Sequence, residues 1–403
     1  MERFFQGKRI VIYGIGNTGR AFFGKYASEL SLEVCTCSDE EFEPIEGMKG
    51  VTLSELDKEK DYLVICSAYY REIYDWLIFS EWEVVKNFVR WDVFEEVFAD
   101  LGKRKIAIFC GQCEMDEISI CMRKDRNYSD SWSTIVYSDR DVIKGGDRFN
   151  IGLAKEIRYM IRYADCFIQG SAISPATASG YQVLRDALKE GGKVIKVSLF
   201  DFDSYWPQDI ASTRTISPFY LQPPERKIGA YCERDQYLEN LVLGGDHSVK
   251  EILDNVCSEN CFDPEIVWKN HKKNMMRVNI MDRVSDVKIF DFVDREFKKN
   301  KLYCDRGHFN TPLMQEYAIR LLKYIQAEVD EDAVRKITME NTFYNVNEFP
   351  IYPCTAAILG LEWIDKDTEY RMLGYNGLKR VTFKEYMDDL ITYYSEVKRI
   401  KEL

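Results

Sequence analysis

Residues 9 to 19 read RIVIYGIGNTG, and this stretch decides the fold of the N-terminal part of the chain. The apolar run closes on Gly14, and apolar positions then recur at helical spacing from Ala21 to Leu30, so the segment predicts a strand, a glycine turn and a helix. In Gly14-Ile15-Gly16-Asn17-Thr18-Gly19 the glycines serve three needs: a tight turn, close approach of backbone to a pyrophosphate, and packing of the helix near the strand. The free N–H groups at the helix start would face the anion. Asp39 follows Gly19 by 20 residues, at the end of the next strand, where a ribose hydroxyl would be held. The pattern supports a Rossmann-like fold. Two readings of the turn stay open, an occupied nucleotide or sugar-nucleotide site and glycines kept for turn geometry alone.

Further apolar runs, LEVCTC at 32–37, YLVICS at 62–67 and EVVKNFV at 83–89, alternate with helix-like segments. They imply a small parallel sheet covered on both faces over roughly residues 1–90, within a first domain of 1–102. A second α/β series opens with KRKIAIFC at 103–110 and continues with WSTIVYS at 132–138, ADCFIQG at 164–170 and KVIKVSLF at 193–200. Helices are expected between these strands at 149–163 and 177–190, and a mostly helical stretch from Asp235 to Ile325. In the last segment Met387, Leu390, Ile391, Tyr394 and Val397 form an amphipathic stripe that predicts packing on the chain's own core or on a second subunit. The expected class is α/β: an N-terminal Rossmann-like parallel-sheet domain, then a second α/β domain over 103–330 with a largely helical C-terminal part, and a helical extension over 331–403 packing on it.

The 403 residues carry 55 Lys+Arg against 67 Asp+Glu, a net charge of -12, which argues against nucleic acid as a partner. No apolar run approaches the roughly 18 to 20 residues of a membrane span. The N-terminus lacks the apolar core of a secretory signal, so a cytoplasmic location is expected. Twelve cysteines, several inside apolar strands, read as buried reduced thiols. Cys257, Cys261 and His271 lack a fourth ligand, and no metal site is expected.

Chemistry concentrates in two places. In Cys110-Gly111-Gln112-Cys113 a strand ends and a helix begins: Gly111 permits a sharp turn, the following amides face the helix mouth, and Cys113 sits where a thiolate is favoured. A thioredoxin-like redox pair and a buried Cys110 are the rival readings. The basic Lys103, Arg104 and Lys105 precede the strand and so belong to its other end. In Gly307-His308-Phe309-Asn310-Thr311-Pro312, Thr311 is the expected N-cap and Pro312 the first helical residue, which holds His308 just ahead of a helix. With only three histidines in the chain, His308 is the general-base candidate. His247 reads as a cap-region residue, and His271, in KNHKK, as exposed on a charged helix. Tyr205, Trp206, Phe219 and Tyr220 could stack on a sugar or pack in the core.

The Gly-x-Cys turn, the acidic helix after it, DCFIQGSAIS, SPFYLQPP and the late His308-x-Asn310 together resemble the WcbI-like bacterial polysaccharide biosynthesis family over roughly residues 104–326. Where that family reads Gly-Asn-Cys-Gln, this chain has Gly111-Gln112-Cys113-Glu114, and Phe309 replaces a proline, which predicts a looser histidine loop. The resemblance implies an acetyltransferase that moves an acyl group from coenzyme A to a sugar hydroxyl, with a polysaccharide precursor as partner. His308 and Cys113 would be the catalytic candidates, and Gly111, Gln112, Gln169, Ser171 and Asn310 would lie on the coenzyme side. A homo-oligomer is compatible with all of this. The alternatives are an oxidoreductase using Gly14, Gly16, Gly19 and Asp39, and a non-catalytic binding subunit.

Overall fold

The computed structural model describes residues 5–28, 30, 32–35, 49–98, 103–171, 174–207, 235–245, 247–337, 348–374 and 377–401. The chain divides into two compact units, residues 1–119 with 125–197, and residues 120–124 with 198–403.

The first unit begins with β1 (Arg9–Tyr13), α1 (Asn17–Tyr26), β2 (Leu32–Cys35), β3 (Lys49–Val51), β4 (Asp61–Ile65), α2 (Tyr70–Phe79), β5 (Phe88–Arg90) and the short α3 (Trp91–Val93). The strands form one parallel sheet in the order β3-β2-β1-β4-β5, with Ile10 opposite Leu32 on one side and Tyr62 on the other. Ile10, Val11 and Ile12 are all buried, the continuous apolar run of a central strand covered on both faces. β5 starts only at Phe88, because Val85 takes a positive φ of 70° and turns the chain before it.

The same unit continues with β6 (Lys105–Gly111), α4 (Cys113–Lys124), α5 (Arg126–Ser131), β7 (Trp132–Ser138), α6 (Asp139–Val142), α7 (Ile151–Met160), β8 (Cys166–Gln169), α8 (Pro175–Asp186) and β9 (Lys193–Lys196). These strands make a second parallel sheet, ordered β7-β6-β8-β9. Helices α2 and α7 join the two halves of the unit through a buried polar cluster. Glu156 accepts from the Tyr74 hydroxyl, from the Tyr137 hydroxyl at 3.0 Å and from the Arg90 guanidinium at 3.2 Å. Each of these groups is satisfied, so the cluster costs little to bury and holds the halves in one register.

The second unit is helical: α9 (Gln236–Leu243), α10 (Val249–Val256), α11 (Pro264–Val284), α12 (Phe290–Glu296), α13 (Thr311–Tyr324), α14 (Glu331–Arg335) and α15 (Pro353–Leu359). A hairpin of β10 (Glu369–Gly374) and β11 (Gly377–Thr382) leads into α16 (Phe383–Lys401). Of the expected stripe on α16, Met387, Leu390, Ile391 and Tyr394 are buried, and the Val397 side chain lies outside the described residues. Cys261 and Cys354 form a disulfide across 93 residues of sequence, with Cα atoms 6.1 Å apart, so these two cysteines depart from the expected reduced state. Cys66, Cys110, Cys121, Cys166 and Cys304 are buried and not disulfide-bonded. Among the described residues no helix is long and apolar enough to cross a membrane.

Candidate functional site

In each sheet of the first unit the strand order reverses beside the first strand, and the crevice at such a point is where open α/β sheets take ligands. At the second sheet the reversal lies between β6 and β8, which pair with Cys110 opposite Gln169. The strand ends therefore bring Gly111, Gln112 and Cys113 together with Gln169, Gly170 and Ser171. Glycine is required at Gly111, where a Cβ would stand 2.6 Å from Met115 Cγ and 3.3 Å from the Gly170 Cα. Gln112 and Cys113 are half-buried at the start of α4. Cys110 lies inside the sheet, and burial pushes its thiol well above the usual range, which does not suit a redox partner.

Gln169 is buried, and its Oε1 accepts from the Arg185 guanidinium at 2.7 Å. That bond fixes the amide's orientation and leaves Nε2 as a donor that meets no acceptor among the described residues. Arg185 is thus a positioning residue that the sequence does not single out. Tyr181 is another: its hydroxyl reaches the Cys110 carbonyl at 3.2 Å and Asp139 Oδ2 at 3.3 Å. Burial pushes the Asp139 carboxyl up, more than the Tyr181 hydrogen bond lowers it. The first turn of α4 carries Glu114 and Asp116, so this helix mouth disfavours phosphate and suits a neutral carbonyl or thioester. Arg104 lies at the opposite end of β6, bound to the Ser129 and Trp132 carbonyls, away from the crevice.

At the first sheet the reversal lies between β1 and β4. Gly14 has a φ of +107°, and a Cβ there would meet the Cys66 carbonyl at 3.1 Å. A Cβ on Gly19 would stand 2.0 Å from the Gly14 carbonyl, so α1 packs onto the turn only because this residue is glycine. A Cβ on Gly16, at the N-cap of α1, would meet nothing within 4 Å among the described residues. Asp39 lies outside the described residues, as do the SPFYLQPP segment and Phe219 and Tyr220.

In the second unit His308 does not stand alone. Its Nδ1 lies 2.7 Å from Asp305 Oδ2, while Asp305 Oδ1 accepts from the backbone amides of Gly307 and His308, each at 2.8 Å. Burial raises the Asp305 carboxyl, but the charge of His308 and these hydrogen bonds outweigh it and hold the group below its ordinary range. In the neutral ring that gives Nδ1–H to the carboxylate the lone pair is on Nε2, the form a general base requires. The loop is anchored, contrary to the expectation for Phe309. That ring is fully buried, stacks on Tyr317 at 5.3 Å and packs on Phe200 and Tyr303, doing by apolar contact what proline would do by a fixed φ. Helix α13 begins at Thr311, so the N-cap is Asn310, whose Oδ1 accepts from the Thr311 amide at 2.9 Å.

The other expectations divide. His271 is buried, not exposed: its Nδ1 lies 3.2 Å from Ser204 Oγ, its ring packs on Phe297 at 4.6 Å, and burial together with Lys298 pushes it down to about 4. Cys261 is held in its disulfide, so it has no thiolate to give a metal. His247 precedes the Ser248–Glu251 capping box of α10, in keeping with a cap-region residue. Tyr205 and Trp206 are core residues, with the indole N–H donating to the Phe349 and Pro350 carbonyls.

No protein-family model and no curated protein matches this chain. Its fold is similar to that of WcbI, described as a novel polysaccharide biosynthesis enzyme, in a native form without a disulfide bond between coenzyme A and one of its cysteines. The TM-score is 0.53 at 14% sequence identity, and the alignment covers 73% of this chain and 90% of that one. At that identity the likeness is one of fold, and the relationship it supports is distant.

Proposed function

We propose that this chain transfers an acyl group, acetyl in the simplest case, from a coenzyme A thioester to a sugar hydroxyl in the biosynthesis of a bacterial capsular or cell-surface polysaccharide. The observation that carries the reading is the Asp305–His308 pair, an imidazole oriented by a carboxylate at 2.7 Å. The fold likeness to a polysaccharide biosynthesis enzyme described together with coenzyme A supports it.

In this reading His308 takes the hydroxyl proton onto Nε2 as the sugar oxygen bonds to the acyl carbon. It returns that proton to the departing sulfur as the carbon–sulfur bond breaks, so protons and electrons balance. Asp305 holds the ring and stabilises its charged form. The first unit has its own donors for a carbonyl oxygen, the amides of the Gly111 turn and Gln169 Nε2 with Gln112 as a further candidate, and the second unit has Asn310 two residues after His308. Cys113 and Ser171 line the same turn. Transfer from thioester to ester needs no covalent relay, so Cys113 is assigned to the wall beside the acyl donor and not to the nucleophile. A coenzyme A donor implies a cytoplasmic reaction.

Isotopically labelled acetyl-coenzyme A offered with a panel of nucleotide sugars tests the reading. Label should pass to a sugar, and His308→Ala should reduce transfer by at least about 100-fold while coenzyme A still raises the melting temperature. Asp305→Asn should lower the rate and shift its pH profile. The absence of any melting shift with coenzyme A species at millimolar concentration, or full activity of His308→Ala, would sink it.

A second reading rests on the glycine turn at the β1/β4 crevice, where a Cβ on Gly16 would meet no described residue within 4 Å. It assigns the N-terminal turn to a dinucleotide or sugar nucleotide, and a melting shift with such a ligand that Gly16→Val abolishes would support it.

A further inference from the structure

We propose that the outer face of α11 docks on an anionic lipid bilayer. The helix buries Val267, His271, Asn274, Met275, Val278 and Asp282. At about 100° per residue these positions share one side, and the diametrically opposite crest runs through Lys269, Lys273, Met276 and Ile280, flanked by Ile266 and Val284. A helix seated on a core ordinarily turns polar residues outward. Here the crest leaves Ile266 57%, Met276 62%, Ile280 53% and Val284 66% exposed.

Cations are interleaved with these aliphatic side chains. Arg277 pairs with Asp203 at 3.5 Å, whereas Lys269, Lys272, Lys273 and Arg283 enter no ion pair among the described residues. Five Lys and Arg stand on α11 against Glu265 and Asp282, in a chain whose net charge is -12. The basic surface is therefore local and opposite in sign to the molecule that carries it. On one flank a groove of about 480 Å³ is lined by Pro264, Glu265, Trp268, Lys269 and Lys272. Trp268 is half-buried there, with Lys298 Nζ 5.7 Å from its ring centroid. Aliphatic groups that enter the acyl boundary, lysines that extend to phosphate, and a tryptophan at headgroup depth are what an interfacial helix needs.

The competing occupants fit less well. A nucleic acid backbone would use the cations and leave the aliphatic crest in water. A second copy meeting this face in parallel register would set Lys269 and Lys273 against their own copies, which repels.

Co-sedimentation of the full chain with vesicles decides the matter, independently of acyl transfer. Partition into vesicles with about 30% phosphatidylglycerol should exceed partition into pure phosphatidylcholine by at least about tenfold and should fall as salt rises. Lys269→Glu with Lys273→Glu should lose at least about tenfold of that binding, and Met276→Ser with Ile280→Ser should lose a comparable share, both at unchanged melting temperature. If the charge reversal lowers the melting temperature, Lys269→Gln with Lys273→Gln carries the same test. Equal partition into both vesicles, no partition, or retained binding by the charge variants overturns the proposal. So does a wild-type dimer, seen by light scattering, that Ile280→Glu dissolves.

Discussion

The two crevices of the first unit use one topological device for different surroundings. At β1/β4 the turn is built on glycine: Gly14 takes the positive φ, Gly19 admits the helix, and a Cβ on Gly16 would meet no described residue within 4 Å. At β6/β8 the turn is furnished with side chains, the buried Gln169 held by Arg185 on one strand and Gln112 and Cys113 on the other, under a helix whose first turn is acidic. A bare helix mouth favours an anion, and an acidic one with a neutral amide donor favours a carbonyl. The comparison teaches that strand order locates a crevice, while the residues at its rim decide what enters.

The largest expected effect falls on the first crevice. Gly19→Ala must push its methyl into the Gly14 carbonyl and should cost about 3 kcal/mol or prevent folding, measured by denaturant melts. A near-neutral result would mean that α1 can lift off the turn and that the crevice is looser than its geometry. Gly111→Ala meets Cγ of the buried Met115 side chain, which must shift, and should cost about 1–2 kcal/mol, with a larger loss of any coenzyme A-induced melting shift. Gln169→Leu removes the acceptor of Arg185 and should cost about 1 kcal/mol, while weakening the response to acetyl-coenzyme A; an unchanged response would remove Gln169 from the donor set. Gly16→Ala, whose methyl meets no described residue within 4 Å, should move stability by no more than about 0.5 kcal/mol. Loss of a nucleotide-induced shift in that last variant would turn the contrast between the crevices into a division of labour.

The second unit repeats the contrast with two histidines. His271 sits in KNHKK, and the surrounding lysines suggest exposure, yet Val267, Met275 and Val278 at three- and four-residue intervals mark the buried side of the same helix. The partner of His308 was visible only as an aspartate three residues earlier; whether such a pair closes depends on the turn, and here the Gly307 and His308 amides bend the loop around Asp305. The backbone freedom of Phe309 suggests a loose loop, whereas its ring fixes the loop by burial against Tyr317. The β5 boundary moved because Val85 adopts a φ that its side chain disfavours, which only the surrounding packing can impose.

By itself the sequence determined the two parallel sheets, the two glycine turns and the helical character of the second half, because strand burial, turn geometry and helical periodicity are local properties written at intervals of two to four residues. It also brought forward His308, Gly111 and Gln169 as residues to examine. Only the tertiary structure decided that Cys110 faces Gln169 across β6 and β8, that Arg185 orients the amide, that Asp305 holds His308, and that Cys261 meets Cys354. Strand order, a disulfide across 93 residues and the outward turn of α11 are set by which surfaces pack together, and that choice is made by the whole chain.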